Sequence, residues 1–377
     1  MSHSTSHAPT PAETLVIVGM SGGVDSSVAA ALLLEQGYSV EGLFMKNWEE
    51  DDGTEYCTAL EDLADARRIC ETLGIKLHTA NFAAEYWDNV FEDFLREYHA
   101  GRTPNPDVLC NREIKFKQFV NYAERLGADY IATGHYARSV IIDDEYHLLK
   151  GLDSNKDQTY FLQAVPLGQL RKCLFPLGDW QKHEVRAKAA SMGLHNAQRK
   201  DSTGICFIGE RRFDDFLQRY LADNPGAMID ESARRLGEHR GLHHYTFGQR
   251  QGLKLGGIRG RPEAPWYVAA KCPSTNRLVV TQNEALLCGS WLRAGELNWL
   301  TEPELPLACS AKIRYRQQDV PCIISKAADG QLLVRFQTPQ RAITPGQFVA
   351  FYTADRMIGG ARIDVTDSNF LHVIGTT

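Results

Sequence analysis

One string constrains this chain more than any other. Gly19-Met20-Ser21-Gly22-Gly23-Val24-Asp25-Ser26-Ser27 stands between a β-rich run, Thr14 to Met20 (TLVIVGM), and a run of helical composition, Ser26 to Gln36 (SSVAAALLLEQ). Two consecutive glycines let the backbone approach an anion closely, because no Cβ blocks the way. The N–H groups of Gly22 to Ser26 lie at the positive end of the following helix, an arrangement that suits phosphate. Ser21, Ser26 and Ser27 add hydroxyl donors. Asp25 is the odd member, since a carboxylate beside phosphates repels them unless it meets Mg²⁺ or caps the helix. A glycine-rich turn with an Asp N-cap is the plainer use of the same letters. A Walker loop is excluded because no Gly-Lys-Ser/Thr follows, and the absence of GxGxxG argues against a dinucleotide site.

The pattern around this string repeats. Gly37 stops the first helix, and Ser39 to Trp48 reads as a strand. Ala59 to Leu73 reads as a helix ended by Gly74, Lys76 to Phe82 as a strand, and Ala84 to His99 as an amphipathic helix. Ile114 to Leu126 is a further helix closed by Gly127, and Asp129 to Thr133 a further apolar strand. Strands alternating with helices imply a parallel sheet with helices on both faces. After about residue 210 the pattern changes. Short β runs recur at Trp266–Ala270, Arg277–Thr281, Ala311–Tyr315, Cys322–Ser325, Leu332–Phe336 and Gln347–Tyr352, punctuated by Gly, Pro, Asn and Asp. They predict a small antiparallel barrel or sandwich. The expected architecture is an α/β domain, a basic linking segment and a β domain, in keeping with two or three domains for 377 residues.

Charge is segregated. Forty-one basic and 47 acidic residues leave the chain at −6, so no global polycation announces nucleic acid. From Ser232 to Arg261, however, Arg234, Arg235, Arg240, Arg250, Lys254, Arg259 and Arg261 face a single acid, Glu238, and Glu49, Glu50, Asp51, Asp52 and Glu55 crowd another stretch. Such segregation can hold a polyanion on one face of an acidic protein; a solvated basic loop and a solvated acidic loop are the plainer readings. With 43% hydrophobic and 23% charged residues the composition is globular. The apolar run Val28 to Leu34 is far shorter than the roughly 20 residues a spanning helix needs, and Met1 to Thr10 has no apolar signal core, so a cytoplasmic protein with no membrane partner is expected. Nine cysteines without any CxxC argue against a disulfide framework or zinc ribbon.

Two cysteines have a distinctive context. Cys110 lies in GRTPNPDVLCNREIKF (101–116), where Pro104 and Pro106 predict a rigid loop leading into the Ile114 helix, with Arg112 and Lys115 close by. Cys206 lies in KDSTGICFIG (200–209), between Gly204 and Gly209 and after Arg199 and Lys200. Basic neighbours favour the thiolate, although a buried, inert thiol is the ordinary state of a cysteine. The adjacent His243-His244 lack nearby Cys or acidic ligands in the sequence, so no metal is expected there.

SGGVDS after a β-strand resembles the pyrophosphate loop of the N-type ATP pyrophosphatases, which cleave ATP between its α and β phosphates to adenylate a substrate. Over nearly its whole length the chain is similar to the bacterial tRNA-specific 2-thiouridylase family. The strings that carry this are GMSGGVDSSV, EGLFMKNWEEDD, NFAAEYWDNVF, GRTPNPDVLCNREIKF, ADYIATGHY, GLDSNKDQTYF, KDSTGICFIGERRF, FGQRQGL, RYRQ and TPGQ. The resemblance implies an α/β parallel-sheet PP-loop (adenine-nucleotide alpha hydrolase-like) domain at 14–212 after a tail at 1–13, a small central basic RNA-contacting domain at 213–283, and a C-terminal antiparallel β-barrel that binds tRNA at 284–377. It implies ATP with Mg²⁺, tRNA rather than DNA, and a persulfide donor or relay protein. Gly19, Met20, Ser21, Gly22, Gly23, Val24, Asp25 and Ser26 would bind ATP phosphates, Met45 the adenine end, and Gly134 would line the pocket. Asn105, Pro106 and Asp107 would meet the target base, with Asp107 an acid/base group. Cys206 would carry the persulfide, and Cys110 would liberate its sulfur, leaving a Cys110–Cys206 disulfide. His135, Lys156, Asp157, Gln158, Arg314, Tyr315 and Gln347 would touch tRNA. Stacking and edge hydrogen bonds to a flipped, single-stranded base suit His135 and Tyr315, and the basic stretch suits phosphate contacts.

Two rivals stand beside this reading. An amidating ATP pyrophosphatase would use ammonia and tolerate loss of both cysteines. A noncatalytic RNA-binding protein would use the β domain alone and leave SGGVDS without purpose.

Overall fold

The computed structural model describes residues 10–49, 59–200, 213–256, 258 and 260–367, and gives them two compact units. The first comprises the described parts of 1–90, 107–210 and 355–357; the second those of 91–106, 211–354 and 358–377. Cys206, with the rest of its loop, and Glu50 to Glu55 of the acidic run lie outside the described residues.

In the first unit β1 (Leu15–Gly19), β2 (Ser39–Lys46), β3 (Leu77–Asn81), β4 (Tyr130–Ala132) and β7 (Cys173–Leu174) form a five-stranded sheet in the order β3-β2-β1-β4-β7. Every pairing is parallel. The helix after β1, α1 (Val24–Glu35), has nine of its twelve residues buried, Ala29-Ala30-Ala31 among them. A helix apolar all round belongs inside. One side of it packs with Val16, Val18, Val40, Phe44 and Ile69, the other with Tyr136, Leu177, Val185 and Ala189. The phosphate-type loop is therefore held rigid at its helical end. Helix α2 (Ala59–Leu73) spans the residues expected of it, and Gly37, Gly74 and Gly127 all take positive φ as helix-stop glycines do.

Two helices depart from expectation. The stretch expected as one α-helix from Ala84 is α3 (Ala83–Tyr86), a π-helical turn at Trp87–Phe91, then α4 (Glu92–His99). The helix expected from Ile114 begins eight residues earlier: α5 (Pro106–Cys110) runs into a π-helix at Asn111–Gln118 and then α6 (Phe119–Arg125). Pro106 does not forbid this helix; it starts it. At the first helical position the missing N–H costs nothing and the ring's φ is already helical. Cys110 is thus inside a helical run, not in a loop before one. The hairpin β5 (Ala137–Ile142) and β6 (Glu145–Lys150) pairs with Arg356 and Met357, and α7 (Thr159–Leu162), α8 (Leu167–Leu170) and α9 (Lys182–Ser191) complete the unit.

In the second unit, α10 (Phe213–Leu217) precedes a four-stranded sheet of β8 (Gly226–Ile229), β9 (Arg235–His239), β10 (Tyr267–Cys272) and β11 (Arg277–Thr281), ordered β10-β11-β8-β9. Then come β12 (Cys288–Trp299), β13 (Leu307–Lys312), β14 (Val320–Lys326), β15 (Leu332–Arg341), β16 (Phe348–Thr353) and β17 (Arg356–Thr366). Their order is β12-β15-β14-β13-β16-β17, and β12 also pairs with β17, so the antiparallel sheet closes into a six-stranded barrel. Leu292, Ile324, Val334, Val349, Phe351 and Ile363 fill it.

Candidate active site

The loop after β1 takes its shape from its glycines. Gly22 has φ +74°, and a Cβ there would stand 2.8 Å from the Asp62 carbonyl oxygen. Gly23 is the N-cap of α1, and the hydroxyls of Ser26 and Ser27 donate to its carbonyl at 3.1 and 2.8 Å. The first N–H groups of α1 have no acceptor within the helix and are aimed out of its positive end. Gly134 presses on the loop from β4: a Cβ on it would lie 2.9 Å from Asp25 C and Ser26 N. Gly19 faces Met45, whose terminal carbon would be 3.3 Å from a Cβ at Gly19. The sequence-selected Gly19–Ser26, Met45 and Gly134 thus converge on one cradle. Gly134→Ala should push the loop outward and raise KM for ATP at least about tenfold, within the 1–3 kcal/mol that overpacking costs. Steady-state AMP formation checks this, and an unchanged KM would disprove the steric coupling.

Sequence reading missed what holds the cradle. Both carboxylate oxygens of Asp25 accept from Lys182 Nζ, at 2.7 and 2.8 Å, and the Tyr136 hydroxyl donates to Oδ1 at 2.8 Å. The puzzling acid of the loop is therefore neutralised from α9, 157 residues away. Asn196 Nδ2 donates to Gly22 O and Ser27 Oγ, each at 3.0 Å. Arg199 bridges Gly22 O at 3.3 Å and Asp65 at 2.8 Å, with Asp62 also paired. The chain leading to the Cys206 segment is thus tied to the phosphate-type loop up to Arg199. A hint was available in the Gln181–Glu184 capping box that fixes the start of α9.

Cys110 ends α5 and is 1% exposed. Of the basic neighbours counted on to activate it, Arg112 donates to Glu113 at 2.8 Å, a carboxylate that Lys117 also holds at 2.7 Å. Burial would raise the Glu113 carboxyl, but these bonds outweigh it and hold it low. Asp107, one turn before Cys110, is pushed upward by burial, opposed by Lys115. That is the direction an acid/base carboxyl near neutrality needs. The π-helix that begins at Asn111 fits a functional position, since such bulges recur at sites. His135 is 8% exposed, bonded to Thr133 Oγ1 at 2.8 Å and beside Phe116; burial lowers it to about 3, so it is neutral at pH 7. Asp157 accepts from Thr159 N and Oγ1 and from Gly151 N, while Gln158 exchanges two 3.0 Å bonds with the Tyr136 backbone. Lys156 lies on the same turn, its N–H bonded to Asp153 O.

In the second unit Gln347 and Asn105, 242 residues apart, meet at 3.3 Å. Gln347 Nε2 also donates to Thr103 O and Pro104 O, each at 2.9 Å, and Thr103 N donates to Pro345 O. Gly346, at φ +90°, leaves space for Thr103, whose N and O would lie 2.9 Å from a Cβ. The TPGQ turn of the barrel thereby grips the loop that ends at Asn105 and Pro106. Beneath it sits Lys271, unselected by sequence, fully buried on β10, its Nζ 3.5 Å from Thr103 Oγ1; burial pushes its ammonium down to about 7. Arg314 reaches the carbonyls of Arg341 and Ala342, and Arg316 lies over the Tyr315 ring at 5.4 Å.

Model matches cover the chain in three pieces. A tRNA methyl transferase HUP domain matches residues 14–210, a tRNA methyl transferase PRC-barrel domain 214–282, and an aminomethyltransferase beta-barrel domain 290–363. The tRNA-specific 2-thiouridylase MnmA of Chromohalobacter salexigens is 59% identical over 372 residues, 97% of either chain. The chain belongs to the tRNA-specific 2-thiouridylase family. The family protein of the same name from Pseudomonas fluorescens is 59% identical over 366 residues, 95% of this chain and 98% of its own. Among solved structures, U34-tRNA thiolase NcsA from Methanococcus maripaludis matches 52% of the chain and 62% of its own at 18% identity and TM-score 0.36. Membership of this PP-loop family implies use of ATP, and a glycine-lined loop at a helix N-terminus suits phosphate.

Two expectations about charge are modified by the fold. The basic stretch is partly self-neutralised: Arg261 pairs with Asp230 and Glu231, Arg235 with Glu238 at 3.1 Å, and Arg240 with Asp223 at 3.5 Å, while Arg234, Arg250 and Lys254 are exposed. The His243-His244 pair does have an acid beside it, Asp223, 2.8 Å from His244 Nε2. Arg240 already answers that carboxylate, which disfavours a cation there. No described helix is long and apolar enough to cross a membrane.

Proposed function

We propose that this protein is a tRNA sulfurtransferase that 2-thiolates the wobble uridine. In this reading the PP-loop, the PRC-barrel segment and the C-terminal barrel divide the chain near 212 and 283. The uridine O2 attacks the α phosphate of ATP and pyrophosphate leaves, so a poor leaving oxygen becomes a good one, bonded to AMP. The terminal sulfur of a Cys206 persulfide attacks C2. The Cys110 thiolate then attacks Cys206 Sγ, forming the Cys110–Cys206 disulfide, and the electrons of the broken S–S bond stay on the sulfur now attached to C2. The C2–O bond breaks and AMP departs. A thiol reductant or donor protein restores the cysteines before the next cycle.

The observation that carries this reading is the cradle formed by Gly22, Gly23 and Gly134 in a chain 59% identical to a named 2-thiouridylase. Mg²⁺ would supply further charge neutralisation on the phosphates; with Asp25 engaged by Lys182 and Tyr136, we propose that it arrives on ATP. His135, Lys156, Asp157, Gln158, Arg314, Tyr315 and Gln347 are proposed tRNA contacts, and Asn105, Pro106 and Asp107 meet the base. A protein that donates persulfide sulfur is the proposed partner.

The test is nucleoside mass spectrometry of unmodified tRNA incubated with enzyme, ATP, Mg²⁺ and a persulfide donor. One oxygen should be replaced by sulfur at the wobble uridine. Cys206→Ser and Cys110→Ser should each reduce product at least about a hundredfold while ATP cleavage persists. Full thiolation by both variants would overturn the cysteine roles, and AMP formation without sulfur in the wild type would favour the amidating reading.

A further inference from the structure

We propose that Cys309 and Cys322 form an oxidisable dithiol inside the C-terminal barrel, a second redox site separate from Cys110 and Cys206. Cys309 on β13 and Cys322 on β14 are direct partners in the antiparallel register. Directly opposed residues in such a ladder have Cα atoms about 4.5 or 5.5 Å apart. Both separations lie within the roughly 4.4–6.8 Å that a disulfide spans. The side chains share a face, with Sγ atoms 3.6 Å apart. Rotation of the side chains alone, with no backbone shift, can bring the sulfurs together.

The two thiols are unequal in a useful way. Cys322 is 1% exposed and belongs to the barrel core; Cys309 is half-buried and packs against that core from the edge. The hydrogen bond between them favours the Cys309 thiolate and holds Cys322 as the thiol, with burial adding to the latter. By contrast, burial pushes the Cys70 thiol up to about 11 and Cys173 higher still. Thiolate character and access together select the cysteine that oxidises first.

The oxidant class is a two-electron peroxide. The Cys309 thiolate attacks one peroxide oxygen, the O–O bond breaks, and Cys309 becomes a sulfenic acid as one water is released. The Cys322 sulfur then attacks the Cys309 sulfur, its proton leaves with the hydroxyl as a second water, and the S–S bond forms. The disulfide would staple the base of the hairpin whose connection bears Arg314 and Tyr315.

The experiment uses the reduced full chain exposed to hydrogen peroxide, alkylated, and mapped after trypsin without reduction. Lys312 and Arg314 separate the two cysteines, so the bond joins two tryptic peptides. The joined pair, two hydrogens lighter than the sum of its reduced peptides, should appear in the wild type. Its appearance should track the loss of alkylatable Cys322. In Cys309→Ser, Cys322 should lose alkylation at least about tenfold more slowly. In Cys322→Ser, Cys309 should proceed to sulfinic acid with no joined peptide. Full recovery of the Cys322 thiol from wild type whose Cys309 is oxidised would overturn the proposal. So would a Cys309 that peroxide leaves intact at doses that oxidise Cys288, which is also partly exposed. Mapping the wild type decides the matter even if a serine variant folds poorly.

Discussion

Lys182→Met should reduce AMP formation by about two to three orders of magnitude, a loss of the 3–4 kcal/mol scale seen when one preorganised electrostatic group is removed from a site. Lys182 Nζ contacts both oxygens of Asp25 and is nearly buried, with its side chain 12% exposed. Without it the carboxylate keeps, among the described residues, only the Tyr136 hydroxyl and stands as an uncompensated negative charge at the loop proposed to hold the ATP phosphates. Two unit charges 4 Å apart repel by about 4 kcal/mol at an effective dielectric of 20, so Asp25 alone can account for the loss. Asp25→Asn in the Lys182→Met background separates the alternatives. If the lysine only neutralises Asp25, the double variant regains nearly all activity. If the ammonium also meets phosphate, recovery stops at about tenfold, which is the outcome expected for a cation at a phosphate loop. Pyrophosphate release measures each; a Lys182→Met rate equal to wild type would disprove the assignment.

What was legible in the sequence follows from how local each signal is. The phosphate-type loop could be read because its glycines, its strand and its helix are contiguous, and α2 matches its expected span because apolar spacing and a terminal Gly are local facts. Lys182, Asn196 and Arg199 were invisible because their partners lie 134 to 177 residues away in the chain. The strands β12 and β17 escaped because their glycines break the alternation. Gly289 and Gly295 sit at register shifts of β12, and Gly359 abuts Asn298 and Trp299 so closely that no side chain would fit. Gly in a strand marks a bulge or a close backbone approach, and only tertiary context shows which. Pro106 was misread for a related reason: a proline that forbids a helix interior is favoured at its first residue, and sequence does not say where the helix starts. The local context of Asp107 and Cys110 was legible, but their burial came from the packing of that unexpected helix.

Arg362→Met should destabilise the second unit by about 3 kcal/mol, the lower end of the range for removing one partner of a buried ion pair. Arg362, 4% exposed on β17, contacts Asp93 at 3.1 and 3.3 Å and Glu97 at 3.3 Å, both on α4. The lower end applies because neither acid is left bare. Glu97 keeps Arg102, whose Nε lies 2.7 Å from its carboxylate, and Asp93 keeps Arg96. Arg96 is 65% exposed at its side chain, however, so it screens Asp93 poorly. At roughly 2–4 °C per kcal/mol for a unit of this size, the thermal transition should fall by about 6–12 °C. Met preserves the apolar contact with Phe348, over whose ring the guanidinium now sits at 5.4 Å, so lost packing is not the cause. Adding Asp93→Asn and Glu97→Gln to Arg362→Met should restore at least half of the loss, because the penalty is uncompensated charge. Scanning calorimetry reads all three proteins, and a triple variant less stable than Arg362→Met would refute that origin. The same substitution tests a longer link. α4 leads directly into Arg102–Pro106, the loop gripped by Gln347, so loosening the Arg362 anchor should also raise KM for tRNA while leaving KM for ATP unchanged.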